Sequence, residues 1–353
     1  MSRLLVSSDL KIFHHKDVIA KMKGDKRPKP IYLRIKPTNI CNQRCHFCGY
    51  ADDLVFSDRT THRDSIDWAI LSEVLKDFKA LGGKAVTYSG GGEPLCYHSI
   101  KDAFRLTNEL EIDLSIITNG QALKGDIINY LKDSKWVRVS FDAADSKTYK
   151  TIRKVDTFTQ VLDNIREFSN KKSNSCVLGV NCVITETNCN QIFDLCKMLK
   201  ECGVNNVKVS PVLLKEDTTG YHDRIRHEVE DLIDKVKSQL ADKSFCLIDK
   251  YSSDYALEQD YVKPYDKCYV HQFFAVVGAD AKLYRCHQKA YTESGIIGDL
   301  TKQSFSSIWN GLPCLSEDSF DPKKECRFRC AFDERNRILD DFFNMNMEHV
   351  NFI

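Results

Sequence analysis

Short apolar runs alternate with amphipathic stretches along the chain from residue 31 onward. The runs are rich in β-branched residues, which is typical of buried strands, and the stretches repeat apolar residues at helical spacing. The pattern predicts strands at 31–36, 84–89, 113–118, 136–141, 177–184 and 206–212. It predicts helices at about 65–81, 98–110, 122–132, 158–169, 188–202 and 222–239.

Strands that alternate with helices predict an α/β fold with a parallel sheet and βαβ crossovers. An open doubly wound sheet and a partial barrel both satisfy this pattern, and in both the functional groups gather at the carboxyl ends of the strands. The alternation stops after about residue 240. The stretch 245–330 is too polar to build a large core, so we expect a metal cluster to stabilise it.

Composition and charge exclude several classes of protein. The chain has 353 residues, of which 42% are hydrophobic and 29% charged, as in ordinary globular proteins. Its net charge of +1 gives no overall attraction to nucleic acid or to an anionic membrane. The chain lacks both a membrane-length apolar run and the apolar core of a signal peptide. We therefore expect a cytoplasmic protein that binds neither nucleic acid nor membrane.

The chain contains 15 cysteines, which is many for a cytoplasmic protein. Disulfides are rare in the cytoplasm, so clustered cysteines indicate metal or redox chemistry. Cys41, Cys45 and Cys48 form a C-x3-C-x2-C loop directly after the first predicted strand. A structural zinc site completed by His46 is one interpretation. A [4Fe–4S] cluster with one open iron suits a loop of three cysteines better.

A second group of cysteines lies late in the chain and is more dispersed. The members of the late group are Cys268, Cys286, Cys326 and Cys330. Most of the remaining cysteines stand singly in apolar segments, where packing in the core is the expected role.

Polar motifs follow the next three predicted strands. The sequence SGGGEP occupies 89–94, TNG occupies 118–120 and SFD occupies 140–142. Because the carboxyl ends of parallel strands share one edge of the sheet, we expect these motifs to lie beside the cysteine loop.

The cysteine loop after the first strand and Gly-Gly-Glu-Pro at 91–94 after the second resemble the radical SAM superfamily, over roughly residues 31–212. The resemblance implies a partial (β/α)6 barrel and a [4Fe–4S] cluster held by Cys41, Cys45 and Cys48. It also implies that S-adenosylmethionine is cleaved to methionine and a 5′-deoxyadenosyl radical, which abstracts hydrogen from a substrate. A flavodoxin or ferredoxin is the implied electron donor.

The resemblance also assigns positions to S-adenosylmethionine. It implies Phe47 against the adenine; Gly91, Gly92 and Glu93 at the methionine amine; Ser140 and Asp142 at the ribose or carboxylate; and Arg153 at the carboxylate.

The tail resembles the auxiliary-cluster extension called SPASM, in its shorter twitch form. The matching segments are KCYVHQFFAVVGADAKLYRC, with a predicted β-hairpin over 278–280, and CRFRC after a connecting helix. The resemblance implies an auxiliary [4Fe–4S] cluster held by the late cysteines, and structural zinc on the same four is the alternative. The expected domains are an N-terminal lead at 1–30, the barrel at 31–240, the auxiliary-cluster domain at 241–340 and a tail at 341–353. The basic stretch 21–30 of the lead is expected to be a solvated linker.

Four thiolates would close the auxiliary cluster, which would then carry electrons rather than bind substrate. The resemblance therefore implies an oxidoreductase that oxidises a carbinol of a sugar, aminocyclitol or glycan precursor. An epimerase, in which Cys96 or Cys246 returns a hydrogen atom, is the second interpretation. A peptide-modifying (RiPP) maturase is the third, although the forty residues before Cys41 are too few for a leader-binding domain. A non-catalytic metal-binding scaffold is a remote alternative.

Overall fold

A ten-stranded sheet organises the protein, with strand order β10-β9-β8-β1-β2-β3-β4-β5-β6-β7. The structure is a computed structural model that describes residues 8–50, 62–214, 217–254 and 261–351. The strands are β1 Tyr32–Ile35, β2 Ala85–Tyr88, β3 Asp113–Thr118, β4 Trp136–Ser140, β5 Val177–Ile184, β6 Asn206–Pro211, β7 Cys246–Asp249, β8 Phe274–Val277, β9 Lys282–Tyr284 and β10 Ile296–Asp299.

Strands β1 to β7 are parallel and adjacent in chain order, which confirms the predicted α/β partial barrel. Parallel neighbours require long crossovers, and helices supply them. The helices of the barrel region are Trp68–Ala80, Ile100–Glu109, Asp126–Leu131, Ser146–Arg153, Phe158–Lys171, Ile192–Glu201, Thr218–Asp223 and Arg226–Gln239. Those outside it are Lys16–Lys21, Tyr251–Asp254, Phe305–Gly311, Pro322–Glu325 and Asp333–Asn344.

The main core lies between the sheet and its helices. Alternate strand residues such as Leu33, Ile35, Val137 and Val139 are fully buried there. Side chains on one strand alternate between the two faces of the sheet, so the intervening residues point away from these helices. Several of those residues are polar, and Tyr32, for example, donates a 2.7 Å hydrogen bond to the Thr87 hydroxyl.

The tail continues the same sheet. Strand β8 pairs in parallel with β1, and β8 and β9 form the antiparallel hairpin predicted over 278–280. Strand β7 extends the parallel part of the sheet beyond residue 240, where the sequence pattern predicts that the alternation stops. The boundaries between the expected domains stay a prediction.

The described part of the lead packs against the tail, and its basic stretch 21–30 is not fully solvated, contrary to the sequence-based expectation. Ile12, Val18 and Met22 are buried in a second core cluster with residues of the tail. The guanidinium of Arg27 donates to the carbonyl of His271 and lies 4.6 Å from the Trp309 ring centroid. Charged residues in a segment that reads as a linker therefore serve to attach it to the tail.

Helix Ser146–Arg153 matters most for the site. It begins at Asp145, whose carboxylate accepts a 2.9 Å hydrogen bond from the Thr148 amide, a typical N-cap. It ends at Lys154, which adopts the left-handed conformation with φ 59°. Arg153 is the last helical residue and lies beside the end of β4.

No helix in the described ranges is long and apolar enough to cross a membrane.

Candidate active site

A cavity of about 450 Å³ opens at the carboxyl ends of β1 to β4. The polar loops meet there because parallel strands end at one edge of the sheet. The residues predicted from the sequence that line this cavity are Cys41, Cys45, Phe47, Cys48, Gly91, Gly92, Glu93, Ser140 and Arg153. Asp142 is fully buried and is not part of the lining; it lies behind Arg153.

Backbone hydrogen bonds hold the cysteine loop against the last turn of helix Ser146–Arg153. The Arg44 amide donates to the Arg153 carbonyl at 3.3 Å, and the His46 amide donates to the Ile152 carbonyl at 3.1 Å. These bonds satisfy carbonyls at the end of a helix, which otherwise lack partners. The helix therefore fixes the backbone on both sides of Cys45.

The three loop cysteines carry free thiols. Burial raises the pKa of Cys41 to about 11, and the nearby Glu93, Cys45 and Cys48 raise it further. Burial also raises the pKa of Cys45, although the Arg153 cation opposes this. Without a bound cation the thiols of Cys41 and Cys45 keep their protons at neutral pH, so this donor set fits a metal centre that stabilises thiolates.

The cysteine loop does not form a compact site for a single metal ion. In the described part of the chain, no three His, Cys, Asp or Glu side chains converge as they would around a single metal ion. Each thiolate of a [4Fe–4S] cluster binds a different iron. A cluster therefore does not require three side chains to converge on one ion.

Arg153 connects the cysteine loop to a buried carboxylate. Its Nη1 donates a hydrogen bond to the Cys45 sulfur at 3.3 Å, while Nη2 forms an ion pair with Asp142. Asp142 also accepts a 2.8 Å hydrogen bond from the Val183 amide. A buried guanidinium with a buried counter-ion keeps a fixed orientation. Its planar face also lies 5.7 Å from the Phe47 ring centroid.

Glu93 is enclosed, with 3% of its surface exposed. Its Oε1 accepts hydrogen bonds from the Thr118 hydroxyl at 2.6 Å and the Leu95 amide at 3.0 Å, and its Oε2 accepts one from the Asn119 amide at 2.7 Å. Burial raises the pKa of Glu93, and these donors oppose the rise. The carboxylate thus ties the loop after β2 to the loop after β3. Its predicted contact with the methionine amine stays a prediction.

The glycines after β2 permit a close backbone approach. The Gly92 amide donates to the Thr38 carbonyl at 2.9 Å, and the Glu93 amide donates to the Ile40 carbonyl at 2.9 Å. A Cβ on Gly92 would lie 2.1 Å from the Ile40 oxygen, and one on Gly91 would lie 1.8 Å from the Asn39 side-chain oxygen. Only glycine fits at Gly92, where the neighbour is backbone, whereas a side chain at Gly91 would have to displace the Asn39 side chain.

Some residues at this edge are not predicted by the sequence analysis. Lys36, which is 1% exposed, donates to the Gly90 carbonyl at 2.7 Å and to the Tyr50 hydroxyl. Tyr291 of the tail donates a 2.6 Å hydrogen bond to the Asn39 side chain. No local pattern marks these residues, because their partners come from distant parts of the sequence.

A second pocket in the tail is lined by the four late cysteines, Cys268, Cys286, Cys326 and Cys330. Burial raises the pKa of Cys268 to about 11 and of Cys326 to about 12, and the neighbouring thiolates add to both shifts. Asp333 positions the last cysteine by accepting a 2.6 Å hydrogen bond from the Cys330 amide. The set fits four thiolates around a cluster. Cys314 lies outside this pocket, 3.1 Å from the Ser316 hydroxyl.

The two cysteines predicted as hydrogen donors do not reach the main cavity. Cys96 follows Glu93 in the chain but is not part of the lining. Cys246 is the first residue of β7 and lies at the amino end of the sheet, opposite the cavity. Its placement results from β7, a strand that the sequence pattern does not predict, and the role of Cys246 as a hydrogen donor stays a prediction.

Comparison with known proteins gives two family matches. The model described as the radical SAM superfamily matches residues 35–190, and the model described as an iron-sulfur cluster-binding domain, SPASM, matches residues 268–331. Together they cover more than half of the chain. This protein is a radical SAM enzyme. Within that superfamily it belongs to the members with a C-terminal SPASM domain. Membership implies a [4Fe–4S] cluster, an auxiliary iron–sulfur cluster and S-adenosylmethionine as cofactors.

Individual proteins are similar over most of the chain. A probable GTP 3′,8-cyclase of Saccharolobus islandicus (strain Y.N.15.51 / Yellowstone #2) is 28% identical over 294 residues, which cover 78% of this chain and 88% of the relative. Streptococcus suis SuiB, solved with its precursor peptide SuiA, has a TM-score of 0.64 at 19% identity and covers 87% of this chain and 70% of its own. The structure titled native anSMEcpe with bound AdoMet has a TM-score of 0.60 at 16% identity, covering 79% and 80%. At these identities the two structures show a shared fold.

Proposed function

We propose that this radical SAM enzyme abstracts a hydrogen atom from a polar small molecule, a sugar, aminocyclitol or glycan precursor, and oxidises a carbinol. The observation that carries the proposal is the meeting of the cysteine loop, the glycine loop and Arg153 in one cavity of about 450 Å³. The proposed ligands are Cys41, Cys45 and Cys48 for the first cluster and Cys268, Cys286, Cys326 and Cys330 for the auxiliary cluster.

When bound, the first cluster supplies one electron that cleaves S-adenosylmethionine to methionine and a 5′-deoxyadenosyl radical, and the auxiliary cluster supplies an acceptor for an electron that leaves the substrate. The overall change at the substrate is balanced. The carbinol carbon loses its hydrogen atom, which ends in 5′-deoxyadenosine. The hydroxyl then loses a proton and the carbon loses one electron, which leaves a carbonyl.

The residues of the chain orient the cofactor in this proposal. Backbone carbonyls of the loop around Gly91 and Gly92 accept hydrogen bonds from the methionine amine, since no Cβ blocks the approach. Phe47 packs on the adenine, and the Ser140 hydroxyl contacts the ribose. Arg153 binds the carboxylate of S-adenosylmethionine or the sulfur of the cluster ligand Cys45. Asp142 is a positioning residue that acts through Arg153.

Two observations support oxidation of a small molecule. Among the described residues, the only cysteines that line the cavity are those of the loop, so the lining offers no spare thiol to return a hydrogen atom in an epimerisation. The curated relatives are named for GTP, a polar small molecule. The likeness to SuiB and anSMEcpe lies in the fold alone, so peptide modification stays an alternative. A cytoplasmic flavodoxin or ferredoxin is the proposed electron donor.

The test is the cleavage of S-adenosylmethionine by anaerobically reconstituted protein with dithionite, with 5′-deoxyadenosine measured by mass spectrometry. We expect formation by the wild type and only background with Cys45→Ala. Cys189→Ala is the matched control, because Cys189 is buried in the short helical turn that follows β5 and belongs to neither cysteine group. Equal rates for Cys45→Ala and Cys189→Ala would contradict the proposed ligand set.

A further inference from the structure

Two arginines lie on the cavity face of the sheet. On β4, Val137 and Val139 are fully buried in the core on the helix side. Arg138 lies between them and therefore points to the opposite face. Ile117, its register partner on β3, lines the candidate cavity. Ser140, two residues further along β4, lines it too. Arg138 is thus on the cavity side, one step deeper along the strand.

Arg34 occupies the equivalent face of β1. Its neighbours Leu33 and Ile35 are fully buried in the helix-side core. Lys36, two residues further along, lies on the same face as Arg34. The Lys36 ammonium donates to the carbonyl of Gly90, which lines the cavity. Both arginines therefore lie below the floor of the proposed cofactor site.

Neither guanidinium has a counter-ion among the described residues, and Arg138 contacts only an aromatic ring there, with its guanidinium carbon 5.5 Å from the Trp136 ring centroid. Within the described ranges, no ion pair or hydrogen bond involves either the Arg34 or the Arg138 side chain, and the buried Nε atoms of both lack acceptors. Burial lowers the pKa of Arg138, and the positive charge of Arg34 lowers it further. The two cations are therefore close enough to repel each other. Both residues are partly buried, and their Nε atoms lie inside the protein without an acceptor. Two like charges held together in a partly buried place are destabilising unless an anion lies between them.

The surroundings of Arg138 leave space and unused polar atoms. Its register partner on β5 is Gly179, where a Cβ would lie 3.3 Å from the Arg138 Nε. The same Cβ would lie 2.7 Å from the side-chain oxygen of Asn206. Asn206 is fully buried, and both polar atoms of its amide lack a partner. Buried polar atoms almost always have partners, so an unpaired amide beside an unpaired guanidinium indicates a site built for a ligand.

We propose that Arg34 and Arg138 bind an anionic group of the substrate, a phosphate or a carboxylate, on the cavity face of the sheet. The term substrate rests on the proposed function; the anion site itself does not. Guanidinium groups match the geometry of both anions with paired hydrogen bonds, and a bound anion would remove the repulsion between the two cations. The Asn206 amide would donate the remaining hydrogen bond.

Thermal unfolding of the anaerobically reconstituted protein tests the site, with inorganic pyrophosphate and glutarate as the two probes. A ligand that binds only the folded state raises the unfolding midpoint. We expect one probe to raise it by about 2 °C or more, and the effective probe identifies phosphate or carboxylate as the group bound. Arg34→Gln and Arg138→Gln should each raise the Kd of that probe about tenfold or more. Arg138→Lys should have an intermediate effect.

Arg105→Gln is the matched control, because Arg105 is 56% exposed on an outer helix. It should leave the probe-induced shift unchanged. Without a probe, Arg138→Gln should unfold no lower than the wild type, since it removes a repulsion; a midpoint several degrees lower would indicate a structural role and overturn the proposal. The absence of a shift with both probes, or a shift that survives in both glutamine variants, would also overturn it. Formation of 5′-deoxyadenosine by the wild type tests the proposed function separately.

Discussion

The Nη1 atom of Arg153 lies 3.3 Å from the sulfur of Cys45 and donates a hydrogen bond to it. The guanidinium cannot turn away easily, because Asp142 holds its other nitrogen in an ion pair and both side chains are buried. A fixed cation beside a proposed cluster ligand stabilises the additional negative charge of the reduced cluster. We therefore propose that the last turn of the helix after β4 carries a determinant of the reduction potential of the first cluster.

Replacement of this cation should lower the reduction potential of the first cluster. We expect Arg153→Gln to shift it by at least about 40 mV to more negative values, since a charge at about 4 Å contributes about 1 kcal/mol even in water. The measurement is a redox titration followed by electron paramagnetic resonance. Arg153→Lys, which keeps the charge, should restore most of the potential. Equal potentials in the wild type and Arg153→Gln would refute this role. The Gln variant should also unfold about 3–5 kcal/mol more easily, because Asp142 loses its buried partner.

The hydroxyl of Thr118 should stabilise ionised Glu93. Thr118→Val removes the 2.6 Å donor to Glu93 and the acceptor for the Gly120 amide. We expect a loss of about 1–3 kcal/mol in the free energy of unfolding, measured with denaturant. Thr118→Ser keeps the hydroxyl and should lose less than half as much.

The loss in Thr118→Val should depend on pH. Burial raises the pKa of Glu93, so its ionised form opposes folding, and the stability present below the ordinary glutamate pKa is lost as pH rises through the raised value. Removal of a donor raises that pKa further. The difference from the wild type should therefore be larger at pH 7.5 than at pH 5, and a difference that is constant with pH would contradict the assignment.

Gly92→Ala should disrupt the contact between the glycine loop and the segment that leads to the cysteine loop. The new Cβ would lie 2.1 Å from a backbone oxygen of Ile40, so the backbone itself must move. We expect a loss of about 2–4 kcal/mol in unfolding free energy, together with weaker binding of S-adenosylmethionine by equilibrium dialysis. Gly311→Ala is the control, because a Cβ there meets nothing within 4 Å. The same small effect for both variants would show that the close approach at Gly92 is not needed.

The sequence pattern predicts the barrel well and the connections between distant segments poorly. All six predicted strands are present, within one residue at each end, because each is a short run rich in β-branched and apolar residues that pack into the core. The parallel pairing of β8 with β1 was not predicted, since it joins segments about 240 residues apart and no local pattern encodes such a contact.

The candidate site shows the same division. The residues of the cysteine and glycine loops are recognisable from spacing, and they line one cavity. Lys36 and Tyr291 reach the same edge through contacts that depend on the folded tail. The family resemblance implies a cofactor contact for Asp142, and that contact stays a prediction. The fold turns this side chain away from the cavity and pairs it with Arg153.

The auxiliary cluster should depend on Cys330 and not on Cys314. Two [4Fe–4S] clusters correspond to about eight iron atoms per chain after reconstitution, so Cys330→Ala should leave about four. The tail should also unfold more easily, because thiolate–iron bonds contribute to its folding. Cys314→Ala is the control, since Cys314 is buried outside the pocket of the four cysteines. Loss of iron in Cys314→Ala with full iron in Cys330→Ala would show that the ligand assignment is wrong.

The fate of the substrate radical distinguishes oxidation from epimerisation. We expect a reaction in D2O with candidate sugars, aminocyclitols and sugar nucleotides to give a product two mass units lighter than its substrate, because one hydrogen atom leaves carbon and one proton leaves the hydroxyl. The 5′-deoxyadenosine should carry no deuterium, since its new hydrogen comes from a carbon of the substrate. Mass spectrometry after return to H2O measures both.

An epimerase would instead give a product one mass unit heavier, because a thiol that has exchanged with D2O would return deuterium to carbon. The described lining of the cavity contains no cysteine outside the loop of Cys41, Cys45 and Cys48, so we expect no such product. Cys96 is the remaining non-ligand cysteine close to the glycine loop. A heavier product whose deuterium disappears in Cys96→Ala would replace oxidation by epimerisation and would require the segment after Glu93 to move toward the cavity during the reaction.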